Sequence, residues 1–377
     1  MSRCTPLSGY DQMEDPQLPI DWYFDPVIHQ RELDRLFALG PGYVGHALMT
    51  PAPGDYRVLE RFDDARMLVN ADGRIHLLGN VCRHRQALML EGAGTLPRNR
   101  IICPLHRWTY DNQGHLIAAP KFAEKPCLDL ERTGLQNWQG LLFAGPRDVT
   151  TDLAGMAAAR ALDFSGYRLD RIESTVYPIN WKTFIEVYLE DYHVAPAHPG
   201  LRQFVRCEDL HWEYGDWWSV QTVSLNPLDQ NAKTGSAPYQ AWQKALNART
   251  PDQVSYPYGA IWFTYYPGLM IEWYPEVLVI SSLEPQGIES TRNIVEFYYP
   301  ADIVAHQRGL IEAQQAAYHE TAVEDEIICV KMQQGRKALY EAGKDEHGPY
   351  QLPLEEGMRH FHQFLRRTLS DTPPPAA

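Results

Sequence analysis

Residues 82–108 read "CRHRQALMLEGAGTLPRNRIICPLHRW", which sets Cys-x-His and then, after eighteen intervening residues, Cys-x-x-His in one short stretch. Two thiolates and two imidazoles suit a zinc ion or an iron–sulfur cluster. Zinc fingers group two cysteines and then two histidines, whereas Cys82, His84, Cys103 and His106 alternate. The alternation gives each of two loops one Cys and one His. Two such loops facing each other across a two-iron cluster can offer both cysteines to one iron and both histidines to the other. A neutral imidazole in place of an anionic thiolate leaves less negative charge on the cluster and raises its potential, so the centre takes up an electron readily and passes it on.

Around this stretch, from Tyr43 to about Pro146, short apolar segments such as "YRVLERF", "RIHLLGNVC", "NRIICPL" and "GLLFAGP" alternate with Gly, Pro, Asn and Asp, the pattern of a small β domain. Before it, "PVIHQRELDRLFALG" predicts a helix closed by Gly40 and Pro41. After it, "TDLAGMAAARALDF" reads as a linker or helix and "YRLDRIESTVYPIN" as a strand. "WKTFIEVYLEDYHVA" carries Trp181, Phe184, Ile185, Tyr188 and Leu189 at helical spacing and stops before Pro196. Four apolar runs, "AIWFTYYP", "LMIEWYP", "EVLVISSLEP" and "TRNIVEFYYP", each end in proline and predict an antiparallel meander. A long helix follows from Asp302, in a pattern that allows a break, with Gly343 beyond its end, and the tail "SDTPPPAA" reads as disordered.

A chain of 377 residues with 44% hydrophobic content can bury two sizeable cores. It shows neither an apolar run long enough for a membrane span nor an apolar secretory core near its start, so a cytoplasmic location with no membrane partner is expected. Six cysteines, at 4, 82, 103, 127, 207 and 329, are too scattered for a disulfide framework. A net charge of −14 argues against a nucleic-acid partner and suits docking against a basic protein face.

"CRH" followed by "CPLHRWTYDNQG", with Trp108, Tyr110 and Gly114 in place, resembles the Rieske [2Fe–2S] motif; Cys4, His115 and Cys127 lie outside it. More than half the chain remains. "NWKTFIEVYLEDYHVAPAHPG" offers His193, expected on the helix, and His198 just beyond it. Taken alone, such histidines more often cap helices or satisfy a core. The run "NWK", an acid three before His193, and a second His five later resembles the mononuclear-iron signature of the Rieske non-haem iron oxygenases, a family that includes aromatic ring-hydroxylating α subunits and choline or carnitine monooxygenases.

The resemblance runs from "WYFDP" near the N-terminus to the last long helix. It implies an α+β fold: residues 1–41 as the N-terminal segment of the catalytic domain, 42–150 as an inserted Rieske β domain, and 151–370 as a helix-grip catalytic domain with an antiparallel sheet and a long C-terminal helix, ahead of a disordered 371–377. The segment "VEDEIICVKMQQG" resembles the helix that completes a 2-His-1-carboxylate triad, with Cys329, Gln333 and Gly335 in pattern, which makes Asp325 the expected third iron ligand beside His193 and His198. Glu324 and Glu326 flank it as alternative carboxylates. Glu190 stands where most members carry a bridging Asp, hydrogen-bonded to a Rieske histidine of a neighbouring subunit and to an iron-ligand histidine; the extra methylene resembles members that oxidise quaternary ammonium compounds. Asp191 is expected to point away from His193.

The function implied is that of a terminal oxygenase with one [2Fe–2S] cluster and one mononuclear Fe(II) per chain, acting on O₂ and a small molecule within a head-to-tail homotrimer or a multiple of it. No Gly-x-Gly-x-x-Gly fingerprint occurs, so NAD(P)H oxidation is assigned to a separate reductase or ferredoxin partner. Trp217, Trp218, Trp262, Tyr265, Tyr266, Trp273 and Tyr274 suit an aromatic or heteroaromatic substrate or a cage for methylated ammonium, although most strand aromatics pack a core. The leading expectation is hydroxylation of an aromatic compound. The alternative is N-demethylation or hydroxylation of a quaternary ammonium compound. A Rieske electron carrier without turnover is the remote one.

Overall fold

The computed structural model describes residues 16–226, 236–249 and 258–370, in two compact units. One unit spans 39–151; the other joins the N-terminal segment through residue 38 to everything from Asp152 onward. Cys4 and the tail 371–377 lie outside the described residues. Among those described, no helix is long and apolar enough to cross a membrane.

The smaller unit is built from short antiparallel strands. A five-stranded sheet runs in the order Ala93–Thr95, Asp55–Val58, Arg66–Ala71, Arg74–Gly79, Arg132–Thr133. Beside it stand two three-stranded sheets, one made of Arg100–Ile102, Thr109–Asp111 and Leu116–Ala118. Met67, Val69, Leu78, Ile101, Trp108, Tyr110 and Leu116 form its core, and Cys82 and Cys103 sit inside that core.

The larger unit is a seven-stranded antiparallel sheet in the order Tyr167–Tyr177, Ser290–Pro300, Val277–Gly287, Leu269–Tyr274, Ala260–Tyr265, Trp218–Leu225, Val205–Tyr214. The four apolar runs read from the sequence form its centre as a meander. One face packs the long helix Arg308–Glu341, with Val279, Phe297 and Tyr299 of the sheet meeting Leu310, Ile311 and Ala317. The helix is interrupted near its start: Ala301–His306 ends at Gln307 before the long segment begins, and Gly343 follows its end at φ +65°, as expected. Two further helices lie outside the sequence reading. Ala237–Arg249 has a weak apolar stripe. Glu356–Leu369 has a strong one, burying Met358, Phe361, Phe364 and Leu365 against Trp181 and Ile185.

The helix Trp181–Tyr188, capped by the Asn180 side chain on the Lys182 amide, is shorter than its sequence pattern suggests. It rests on buried charge. Glu186, with no exposed side chain, meets Arg336 at 2.6 Å and His362 at 2.9 Å and accepts the Tyr23 hydroxyl, while the equally buried Lys182 meets Glu32 at 2.6 Å. Burial alone would raise the Glu186 pKa; the Arg336 guanidinium first, then the His362 ring, outweigh it and bring the carboxyl down to about 2. Because this value lies below the unfolded 4.5, the carboxylate's contribution is fully present above pH 4.5 and is lost as pH falls toward 2. Arg336→Met strands that carboxylate and should cost about 3–5 kcal/mol at pH 7. Denaturant unfolding should show the deficit narrowing as pH falls through 4.5; a pH-independent deficit would mean lost packing alone.

Candidate functional site

Two loops carry Cys82, His84, Cys103 and His106, and they are built alike. In each, the cysteine amide donates to a carbonyl five residues on, Ala87 O at 2.9 Å and Trp108 O at 2.8 Å. In each, the amide four residues on returns to the cysteine carbonyl, Gln86 N to Cys82 O and Arg107 N to Cys103 O, both at 3.1 Å. That closure needs a left-handed residue at the same place in both, Gln86 at φ +55° and Arg107 at φ +62°. The two thiols are buried and within hydrogen-bonding reach of each other, and the Tyr110 hydroxyl lies 3.7 Å from the Cys82 sulfur.

The imidazoles stand on the outer side, with ring centroids 4.7 Å apart; His84 is half-buried and stacks on Trp108, and His106 is exposed. His84 Nδ1 is a buried nitrogen with no protein partner. Two buried sulfurs on one side and two rings on the other, one with an orphaned nitrogen, fit a two-iron cluster whose histidine edge faces outward.

The second constellation differs from its sequence reading in one respect. His193 is not on the helix: Trp181–Tyr188 ends with Leu189 as its cap, the Asp191 amide turns aside to the Leu354 carbonyl, and His193 caps a separate short helix, Val194–Ala197, at whose other end His198 sits. The i,i+3 helical relation expected between Glu190 and His193 is therefore replaced by a turn. Glu190 accepts the His193 backbone amide at 3.0 Å and the His193 Nδ1 proton at 2.5 Å. Asp191 is buried and held by Gln221, and burial pushes its pKa up to about 6.

Asp325 Oδ1 lies 3.0 Å from His198 Nε2 and 3.4 Å from His193 Nε2, and the two Nε2 atoms are 2.9 Å apart. Glu324, weighed in the sequence only as a rival ligand, instead accepts from His198 Nδ1 at 2.8 Å. Both imidazoles thus give their Nδ1 protons to carboxylates, which leaves the Nε2 lone pairs facing each other and the Asp325 oxygen. Three acceptors converging this closely fit a cation between them. Donors about 2.1 Å from an ion, on one face of an octahedron, stand about 3 Å apart. Burial draws the His193 pKa down, but Asp325 and Glu190 outweigh it and raise it to about 10, a measure of the negative charge gathered there. Glu326 joins neither histidine, and Cys329 is buried in an apolar cluster with Tyr177, Ile179 and Val187.

These donors open onto a cavity of about 220 Å³ between the sheet and the long helix. Cross-strand neighbours in register line it: Met270, Ser281, Val295 and Glu173 form one row, with Trp262 opposite Glu272 beside them. Of the seven aromatic residues singled out in the sequence, only Trp262 and Tyr274 line this cavity. Tyr266 and Trp217 pack elsewhere in the core. Tyr177 at the end of its strand, and Phe184, Tyr188, Tyr239, Trp242 and Tyr318 on helices, complete the aromatic wall. Among the lining residues there is no Lys or Arg and there are six carboxylates, Glu173, Glu190, Asp191, Glu272, Asp325 and Glu326.

The Rieske [2Fe–2S] domain model matches residues 43–138, and the model of the ring-hydroxylating α subunit (catalytic domain) matches 159–371. A putrescine 2-hydroxylase of Ralstonia nicotianae is 54% identical, covering 94% of this chain and 96% of its own. One of Bordetella bronchiseptica is 48% identical, covering 94% and 85%. In fold, the chain is similar to the crystal structure of a quaternary ammonium Rieske monooxygenase, with a TM-score of 0.75, 19% identity, and 98% and 99% of the two chains covered.

The Glu324 contact gives a direct test. Glu324→Gln should weaken Co(II) or Fe(II) binding to metal-stripped protein by about 10-fold or more. Unchanged affinity in an anaerobic titration would show that His198 is oriented without it.

Proposed function

We propose, for a chain that belongs to the Rieske-type ring-hydroxylating oxygenase family, that its substrate is an aliphatic amine and its product the corresponding amino alcohol. As a member of that family it is a terminal oxygenase with a Rieske [2Fe–2S] cluster and a mononuclear iron, and a reductase supplies the electrons. We assign the cluster to Cys82, His84, Cys103 and His106 and the mononuclear iron to His193, His198 and Asp325. When bound, these groups supply electron transfer and the activation of O₂. Overall, R–H, O₂, two electrons and two protons give R–OH and water.

The observation that carries the substrate class is the identity to two putrescine 2-hydroxylases over nearly the whole chain. It displaces the aromatic substrate expected from the sequence, since both relatives act on a saturated diamine. The cavity supports the same reading. An aliphatic chain finds ring faces and Val and Met side chains to replace its water, and a cationic end meets carboxylates with no competing Lys or Arg among the lining residues. A neutral aromatic substrate would offer Glu272 and Glu326 no opposite charge.

The protein's own groups then have distinct tasks. Glu190 and Glu324 fix the two imidazoles, and the apolar walls keep water from the reacting carbon. Glu190 stays partly exposed, with lone pairs left over after serving His193, which suits the bridging role toward a neighbouring subunit's cluster. Exposed Tyr192 and Ile327 lie beside it in sequence or beside Asp325, and exposed Leu105 adjoins His106, as a head-to-tail homotrimer would require. The described cysteines are all free thiols, which suits the cytoplasm.

An anaerobic single turnover tests this: iron-replete protein, chemically reduced, is mixed with O₂ and a panel of diamines, monoamines, methylated amines and aromatic acids, and products are read by mass spectrometry. A hydroxylated amine is expected, and an aromatic diol as the only product would refute the proposal. His193→Ala should abolish product while leaving the visible cluster spectrum intact, and loss of both would count against two separate centres. Glu190→Gln, assayed at saturating Fe(II), should keep the cluster spectrum and substrate binding yet lose most of its turnover; full turnover would remove Glu190 from the electron path.

A further inference from the structure

Glu272 is the one charged residue in the apolar stretch "AIWFTYYPGLMIEWY", residues 260–274, and it stands on the strand Leu269–Tyr274 with its side chain on the cavity face. Its surroundings are organised around it. Trp262, directly opposite on the neighbouring strand, donates its indole N–H to the Tyr274 hydroxyl at 2.8 Å, and Tyr274, two residues along the same face, donates that hydroxyl to Glu272 at 3.1 Å. Tyr188, Tyr239 and Tyr318 also feel its charge, yet their hydroxyls are engaged with the Ile271 carbonyl, Thr321 and Ser281. Tyr274 is therefore its single hydrogen-bond donor among the described residues, and no Lys, Arg or His pairs with it.

The other cavity acids are accounted for otherwise, Glu326 excepted. Glu190 and Asp325 serve the histidines, Asp191 is held by Gln221, and Glu173 pairs with Arg171 at 2.5 Å. Glu326 has no ion pair, and it lies on the long helix next to Asp325 rather than on the floor of the sheet. A carboxylate taken from water into an aromatic pocket is unfavourable unless a partner offsets the loss, and here one hydrogen bond is all that the described residues provide. Burial accordingly pushes the Glu272 carboxyl up to about 7, with the Asp325 charge adding to the rise. The partner that would keep this group ionised is a cation, small enough to enter and able to donate hydrogen bonds.

Resting on the amine reading above, we propose that Glu272, presented by Tyr274, forms the ion pair with a primary ammonium of the substrate and is the residue that selects amines in this enzyme. The ammonium has three N–H donors and meets tyrosine ring faces on its remaining sides, while the methylenes lie against the apolar wall. The role is one of specificity: the step at carbon is left to the metal site, and Glu272 sets which molecules reach it.

The test is binding to the oxidised holoenzyme under nitrogen, by calorimetry, with putrescine (1,4-diaminobutane), butylamine and the uncharged 1,4-butanediol as probes. Iron content and the visible cluster spectrum serve as folding controls. Glu272→Gln keeps the shape and should weaken putrescine and butylamine about 100-fold or more, while leaving 1,4-butanediol within a few-fold of wild type. Glu272→Asp should recover part of the loss. In steady state the loss should fall on KM more than on kcat; a loss in kcat with unchanged KM would mean a proton-transfer role and overturn the proposal. Equal amine affinity in Glu272→Gln and wild type would overturn it while leaving the amine reading in place. Failure of the wild-type protein to bind or oxidise any amine would sink that reading and this one together.

Discussion

The catalytic unit is organised around a carboxylate that water does not reach. Glu186 lies on the helix Trp181–Tyr188 and draws onto itself Arg336 from the long helix, His362 from the C-terminal helix and Tyr23 from the N-terminal segment. One buried charge thus ties four distant parts of the chain, and Lys182 with Glu32 repeats the arrangement one turn away. Such groups contribute less net stability than apolar replacements would, because desolvation opposes them. What they add is position. With the helix held at fixed height over the sheet, the turn that follows it can deliver Glu190 and His193 to the same place each time the chain folds.

Much of this was legible in the chain itself. The meander strands betrayed themselves by β-branched and aromatic runs closed by proline, the Rieske loops by the spacing of Cys82, His84, Cys103 and His106, and the approach of Asp325 to His193 and His198 by its neighbours in "VEDEIICVKMQQG". What stayed hidden shares a cause, in that it depends on contacts between segments far apart in sequence. The early end of the helix at Tyr188 depends on the carbonyl of Leu354 capturing the Asp191 amide, and periodicity alone would run on to His193. Glu324 looked like a competing ligand because sequence cannot show that consecutive residues on a helix touch opposite edges of one imidazole. The cavity's tyrosines come largely from helices, so a list drawn from the strands named the wrong rings. Glu272 did carry a signal, a single acid in an otherwise apolar strand, and its meaning emerges only when the register sets it beside Trp262 and Tyr274.

Electrostatics unify the site. Carboxylates crowd a space with no lysine or arginine among its lining residues, and in isolation they would repel one another and resist burial. Two kinds of cation would resolve the conflict, a metal ion on the imidazole side and, on the proposed reading, an ammonium on the sheet side. Each lowers the cost of keeping the acids ionised, so occupancy by one bears on the other through the Asp325 and Glu272 charges, which already sense each other.

The twin cysteine loops carry one more implication. Each closes on itself through two backbone hydrogen bonds and a left-handed residue, so backbone contacts of the protein brace the frame that presents sulfur and nitrogen. A frame of that kind changes little when the charge inside it changes. The nuclear rearrangement that accompanies gain or loss of an electron is then small. Electron transfer through the exposed histidine edge would then be governed by distance and driving force, with little waiting on the protein to relax.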